Sequence, residues 1–199
     1  MIEVEIKVAL ANPAEFREKL KELNGKYLIS LDHEDIYFNM PKGLRDFKKT
    51  DEALRLRKST EFNKQNKNIN ELIKYYITYK GKKIDQTTKT REEYEVEVKN
   101  LEPIKIIFKN LGFREIYTIK KERELYEIIF KDQKLDILID YLPILNQNFI
   151  EIELIVGSKN ETHQTKEIMF DFLKQFGFSE RDSIRESYLE LIVNKLKLN

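Results

Sequence analysis

The chain has no cysteine and no tryptophan, and only two histidines, four prolines and six glycines in 199 residues. Without cysteine there are no disulfides, zinc–thiolate sites, iron–sulfur clusters or cysteine nucleophiles. The glycines are scattered, so no glycine-rich loop is available to cradle phosphate through its backbone. Charge of one sign is not in excess: 36 Lys+Arg face 35 Asp+Glu, for a formal net charge of +1. That balance excludes an acidic solvating chain and argues against a basic nucleic-acid binder. No apolar run approaches the ~20 residues of a membrane helix, and no charged leader precedes a hydrophobic stretch. The expectation is a soluble cytoplasmic protein, one domain over residues 1–199, with no membrane and no nucleic acid among its partners.

What the sequence does contain is alternation. Ile2, Val4, Ile6 and Val8 interleave with Glu3, Glu5 and Lys7, the period-2 pattern of a strand. Asn12-Pro13-x-Glu15 then reads as a helix start, Phe16, Leu20 and Leu23 as its apolar face, and Gly25 as its stop. Further strands are expected at 27–38, 53–59, 72–80, 91–98, 114–130, 134–142 and 149–156. Residues 60–70, polar and rich in Asn and Lys, read as a long exposed loop. A second helix runs from Pro103 to Gly112 and a third from Glu161 to Phe176. A fourth, C-terminal, covers Ser183 to Leu196, with the Lys-rich 194–199 as its solvated end. The expected class is α+β: about eight antiparallel strands as a sheet or barrel, with amphipathic helices outside.

The polar face of nearly every strand carries full charges. Glu3, Glu5 and Lys7 share one strand face; Arg55 and Arg57, Lys74 and Lys80, and Arg91, Glu93 and Glu95 share others. Lys121 with Arg123, Asp136 with Asp140, and Glu151 with Glu153 complete the set. A solvated sheet face is the plain reading of any one strand. Yet Val4, Ile6, Val96, Val98, Ile150, Ile152 and Leu154 all need cover, and if helices cover them from outside, the charged faces line an interior. Cations crowded there call for an anion, and carboxylates call for a cation. Guanidinium forks pair with phosphate oxygens, and carboxylates two residues apart on a strand point the same way and can hold Mg²⁺ or Mn²⁺.

Glu3-Val4-Glu5-Ile6-Lys7 resembles the E-x-E-x-K opening of the CYTH superfamily, the triphosphate tunnel metalloenzymes. The runs Glu34 to Asn39, Arg45-Asp46-Phe47, Thr50 to Arg57, Thr78 to Gly81 and Thr90 to Glu93 resemble its class IV adenylyl cyclase (CyaB-like) branch. So do Lys121-x-Arg123, the Asp136…Asp140 strand, Phe149-x-Glu151-x-Glu153 and Ser187-Tyr188-x-Glu190-Leu191, in order over residues 1 to about 192. The resemblance implies an eight-stranded antiparallel tunnel around a triphosphate and a divalent metal. It implies metal ligands among Glu3, Glu5, Glu93, Glu95, Glu151 and Glu153, and a triphosphate clamp of Lys7, Arg55, Arg57, Lys80, Arg91, Lys121 and Arg123. Glu3, Glu5, Lys7 and Asp136 are the residues it ties to catalysis, Asp136 toward metal or ribose. The implied reaction is ATP to cyclic AMP and pyrophosphate with Mg²⁺ or Mn²⁺. The alternative is a triphosphatase on tripolyphosphate or thiamine triphosphate, and a third reading is a non-catalytic polyphosphate sensor. The implied partner is a small-molecule triphosphate, with a homodimer left open. His33 and His163 read as surface or structural, and Asp136 and Asp140 read equally well as solvated.

Overall fold

The computed structural model describes residues 2–66 and 70–197. Parts of the expected 60–70 loop and of the C-terminal end, residues 67–69 and 198–199, lie outside them. Eight strands form a closed antiparallel barrel: β1 (Ile2–Leu10), β2 (Lys26–Asn39), β3 (Ala53–Phe62), β4 (Leu72–Lys80), β5 (Arg91–Val98), β6 (Arg114–Phe130), β7 (Gln133–Leu142) and β8 (Gln147–Val156). Around the barrel they run β1-β5-β4-β3-β2-β6-β7-β8. Hairpins supply most neighbours, and the barrel closes twice through β1. One closure is a long ladder to β8, from Ile2 opposite Val156 to Leu10 opposite Asn148. The other is a short seam to β5, where Ile2 faces Glu92 and Glu3 faces Arg91.

The helices are α1 (Pro13–Glu22), α2 (Phe47–Thr50), α3 (Glu102–Asn110), α4 (Thr162–Lys174) and α5 (Tyr188–Leu196). α1 starts as its sequence predicts, with the Asn12 side chain accepting from the Glu15 N–H and Pro13 in the first turn. Its end differs from expectation. Asn24, not Gly25, takes the left-handed conformation, at φ 65°. Gly25 is glycine for space, since a Cβ there would stand 2.5 Å from Leu20 Cγ. The C-terminal helix also starts later than Ser183. Ser183 bridges Val8 and the Ile184 N–H donates to the Lys7 carbonyl, so these residues extend the β1 edge. Ser187 then opens α5 with a capping box, exchanging hydrogen bonds with Glu190. The 60–70 loop is shorter than expected, because β3 continues to Phe62.

Alternation assigns the two faces. Outward-facing Val4, Ile6, Val8, Ile137, Ile139, Ile150 and Ile152 are buried under Phe16 and Leu20 of α1 and Met169, Phe170, Phe172 and Leu173 of α4. Ile36, Phe38, Leu54 and Leu56 are buried with Phe47 of α2, and Ile104 and Phe108 of α3 pack against them. Each fully buried side chain of this size contributes about 1.5–3 kcal/mol, so the helices hold the barrel from outside. The cover is incomplete: Val96 is 60% and Tyr94 55% exposed, against the expectation that the apolar face of β5 is sheltered. The inward face is polar except at one end, where Ile119, Leu142 and Phe149 receive Tyr188 and Ile192 of α5. α5 thereby stoppers that end of the barrel.

Candidate functional site: a charged tunnel

The inward faces enclose a cavity of about 410 Å³. Its wall carries, from the expected residues, Glu3, Glu5, Arg55, Arg57, Lys80, Arg91, Glu93, Glu95, Lys121, Arg123, Glu151 and Glu153. Two expected residues are not on that wall. Lys7 is fully buried behind it, its ammonium donating to the Glu186 backbone carbonyl and lying 4.2 Å from the Tyr188 ring centroid. Burial and the neighbouring Lys89 ammonium bring its pKa down to about 7. Asp136 stands off the cavity, opposite Glu127 on one neighbouring strand and Glu153 on the other.

Asp35, which the sequence does not single out, and Asp140, read there as equally well solvated, hold the wall together. Asp35 receives Nε and Nη2 of Arg57 at 2.6 and 2.7 Å, with Arg55 Nη1 at 3.6 Å. Burial would raise this carboxyl, but the two guanidiniums hold it far below the usual carboxylate range. Asp140, fully buried, receives a two-pronged contact from Arg123 at 2.6 Å and also accepts from Lys121 at 3.2 Å and the Tyr188 hydroxyl at 2.8 Å. It was paired with Asp136 on strand parity, but only Asp140 reaches the cations. His33 shares the inward parity of Asp35 and is 6% exposed, so it belongs to the lumen side and not to the surface. Burial, Arg57 and Lys121 keep it neutral, far below its ordinary pKa.

Lys89 is the main omission of the sequence reading. It lies between β4 and β5, where no strand pattern runs, yet it has the same odd parity as Arg91, Glu93 and Glu95, and that was the available signal. Its ammonium donates to Glu5 and, at 2.8 Å, to Glu151 Oε1.

The carboxylates divide into neutralised and crowded ones. Lys80 contacts Glu93 at 2.5 Å and Glu3 at 3.4 Å. Against the effect of burial, Lys80 and Arg55 keep Glu93 well below its ordinary pKa, whereas burial pushes Glu3 well above it. Glu153 sits 3.7 Å from Arg123 Nη1. Burial, reinforced by Glu5 and Glu151, still pushes it up to about 7. Oxygens of Glu5, Glu151 and Glu153 lie within 4.8 Å of one another. Three hard oxygen donors at that spacing fit Mg²⁺ or Mn²⁺.

Arg91 is the exception among the cations. It is 4% exposed and on the cavity wall, and among the described residues it has no ion pair, with Nε lacking any hydrogen-bond partner. A buried guanidinium without a counter-charge favours entry of an anion into the cavity.

A closed barrel with an inward ring of paired arginines, lysines and carboxylates invites comparison with known proteins. A CYTH domain matches residues 1–188. The chain belongs to the CYTH family. A Methanocaldococcus jannaschii protein named "Putative adenylate cyclase MJ0240" is 41% identical over 192 residues, covering 96% of this chain and 98% of that one. Among solved CYTH-like structures, the PH1819 protein of Pyrococcus horikoshii superposes with a TM-score of 0.81 at 36% identity, over 97% of this chain and 99% of that one. A Hippeastrum protein described as "Putative adenylyl cyclase HpAC1 from Hippeastrum reveals a dominant triphophatase activity" shares the fold at 16% identity and a TM-score of 0.62, over 97% and 96% of the two chains. The CYTH tunnel is therefore the family's fold, and an acidic cluster suited to a divalent ion lies in its wall. No helix among the described residues is long and apolar enough to cross a membrane.

Proposed function

We propose that the tunnel binds ATP with a divalent cation and converts it to cyclic AMP and pyrophosphate. The observation that carries this reading is Arg91, a buried cation with no ion pair among the described residues, set in a wall with Arg55, Arg57, Lys80, Lys121 and Arg123. Together these six side chains surround the cavity with cationic donors, and the guanidiniums supply planar donors for phosphate oxygens. Glu5, Glu151 and Glu153 would hold Mg²⁺ or Mn²⁺, with Glu3 beside Glu153 while Glu93 and Glu95 pair with Lys80 and Arg55, and the ion would supply charge neutralisation beside the phosphates. An organic group on the triphosphate is supported by apolar lining of the same cavity from Phe47, Ile116, Leu189 and Val193, with Asn194 as a polar partner for a base edge.

In this reading the clamp holds the β- and γ-phosphates so that the ribose 3′-hydroxyl oxygen meets the α-phosphorus. A new O–P bond forms there, the bridging bond to the β-phosphate breaks, the hydroxyl proton leaves to water, and negative charge grows on the departing pyrophosphate. Arg55, held by Thr78 and Glu95, and Arg123, held by Asp140, are fixed in advance around that charge, so little reorganisation is needed as it develops. Lys7 and Asp136, off the wall, take no direct contact in this scheme. The name of the archaeal relative supports cyclisation. The Hippeastrum protein, similar in fold alone, leaves hydrolysis as the alternative outcome.

One assay tests it. The protein is incubated with ATP or tripolyphosphate plus Mg²⁺ or Mn²⁺, and the products are separated. Cyclic AMP with equimolar pyrophosphate is the expected result. Orthophosphate as the main product would replace cyclisation by hydrolysis, and binding without turnover would make the protein a sensor.

A further inference from the structure

Lys89 sits where a divalent cation would have to be. Its ammonium bonds Glu5 and Glu151, two of the three carboxylates that fit a metal. Arg123 also reaches Glu151, at 2.5 Å, but its guanidinium is pinned by two bonds to Asp140. Lys89 has no such second anchor for its charge. Its backbone, by contrast, is tied down separately: the Lys89 N–H donates to the Glu5 carbonyl at 2.9 Å, and the Thr88 and Thr90 hydroxyls bond each other at 2.6 Å. The ammonium on its flexible four-carbon stem can leave the carboxylates while the loop stays in place.

We infer that Lys89 is a built-in counter-cation: the divalent metal displaces its ammonium from Glu5 and Glu151, and the released ammonium passes to the phosphates of the bound triphosphate. This rests on the tunnel reading above and deepens it. Metal and ammonium cannot share these oxygens without strong like-charge repulsion, and two further lysines stand close. Lys7, Lys89 and Lys121 lie 4.2, 5.6 and 5.1 Å from the same Tyr188 ring. A metal entering alone must strand Lys89 among cations, whereas a metal entering with a polyanion gives Lys89 a new partner. Metal and anion binding are therefore positively coupled, and by reciprocity each tightens the other.

The test is Mn²⁺ binding, read as loss of the free-ion electron paramagnetic resonance signal, on the full chain without nucleotide. Lys89→Met should bind Mn²⁺ about tenfold more tightly than wild type, the order of factor expected when one charge-assisted competitor is removed. Saturating inorganic phosphate should tighten Mn²⁺ binding in wild type and have little effect in Lys89→Met. The variant should also melt at lower temperature than wild type without metal and recover more with Mn²⁺. Should Lys89→Met not fold, Lys89→Gln, which keeps a donor but no charge, carries the same comparison. Equal or weaker Mn²⁺ binding by the variant overturns the displacement, provided that Glu5→Gln abolishes binding in both backgrounds. Mn²⁺ binding indifferent to Glu5→Gln, or absent in both proteins, overturns the metal site itself and the displacement with it.

Discussion

The two sides of the tunnel wall are built from the same residue types in opposite states. On the β2, β3, β6 and β7 side, Asp35 and Asp140 are each clamped by a two-pronged guanidinium and held below their ordinary pKa. On the β1, β5 and β8 side, Glu3 and Glu153 are buried among other carboxylates and pushed up, and Arg91 has no anion. The first side is neutralised as folded: its carboxylates hold Arg55, Arg57, Lys121 and Arg123 in place on the wall that would face the phosphates. The second is electrostatically unfinished, and this is the side that a metal and phosphates would complete. Burial alone does not mark a functional charge; burial without compensation does.

That contrast fails first, and most visibly, if the neutralised side tolerates loss of a partner. Asp35→Ala leaves Arg57 buried without its carboxylate, while Arg55 keeps Glu95 at 3.2 Å, and removing one member of a buried pair costs about 3–5 kcal/mol. Urea unfolding should show that loss; a loss below about 1 kcal/mol would mean that Asp35 does not hold Arg57 in place. The opposite behaviour is expected at Arg91. Arg91→Ala should leave stability nearly unchanged and weaken tripolyphosphate binding by about 1.5–3 kcal/mol, the value of one charge-assisted contact, in calorimetry with Mn²⁺ present.

Glu153 sharpens the comparison through pH. Its folded pKa of about 7 stands above the unfolded value near 4.5, so the folded state binds the proton more tightly. This contribution to stability is fully present below about pH 4.5 and is lost as pH rises through 7. A quarter of the side chain remains accessible, so solvent screening reduces the effect to about 1–2 kcal/mol. Glu153→Gln should remove that part of the slope between pH 4.5 and 7 in urea unfolding without metal. A slope unchanged by the substitution would mean that Glu153 is already neutralised. Asp35 has the reverse sign, adding stability above its unfolded pKa and losing it only in acid. The smallest effect is at the stopper: Tyr188→Phe deletes one hydrogen bond to Asp140 and should cost about 1 kcal/mol, read by thermal melting.

The strand faces were legible because a barrel wall shows period 2, and the odd positions of β1, β3, β5, β6 and β8 indeed turn inward. Parity could not separate Asp136 from Asp140, since both point the same way and only their depth along the tunnel differs. Nor could it show that Lys7, though inward, lies behind Tyr188: the stopper arrives from the other end of the sequence, and α5 starts five residues later than its pattern suggested. Lys89 was hidden because residues 81–90 carry no regular structure, so nothing local positions its side chain. Val96 shows the converse error, an apolar residue left exposed on a face where the cover from α3 packs with Val98 instead.

The central claim is that triphosphate and metal meet inside the barrel, on its unfinished side. A crystal structure with Mn²⁺ and a non-hydrolysable ATP analogue tests it most directly through the anomalous signal of the ion. The predicted result is an Mn²⁺ peak against Glu5, Glu151 and Glu153, with a phosphate oxygen on Arg91. Mn²⁺ and phosphates bound on the outer surface, with Lys89 still on Glu5 and Glu151, would contradict it.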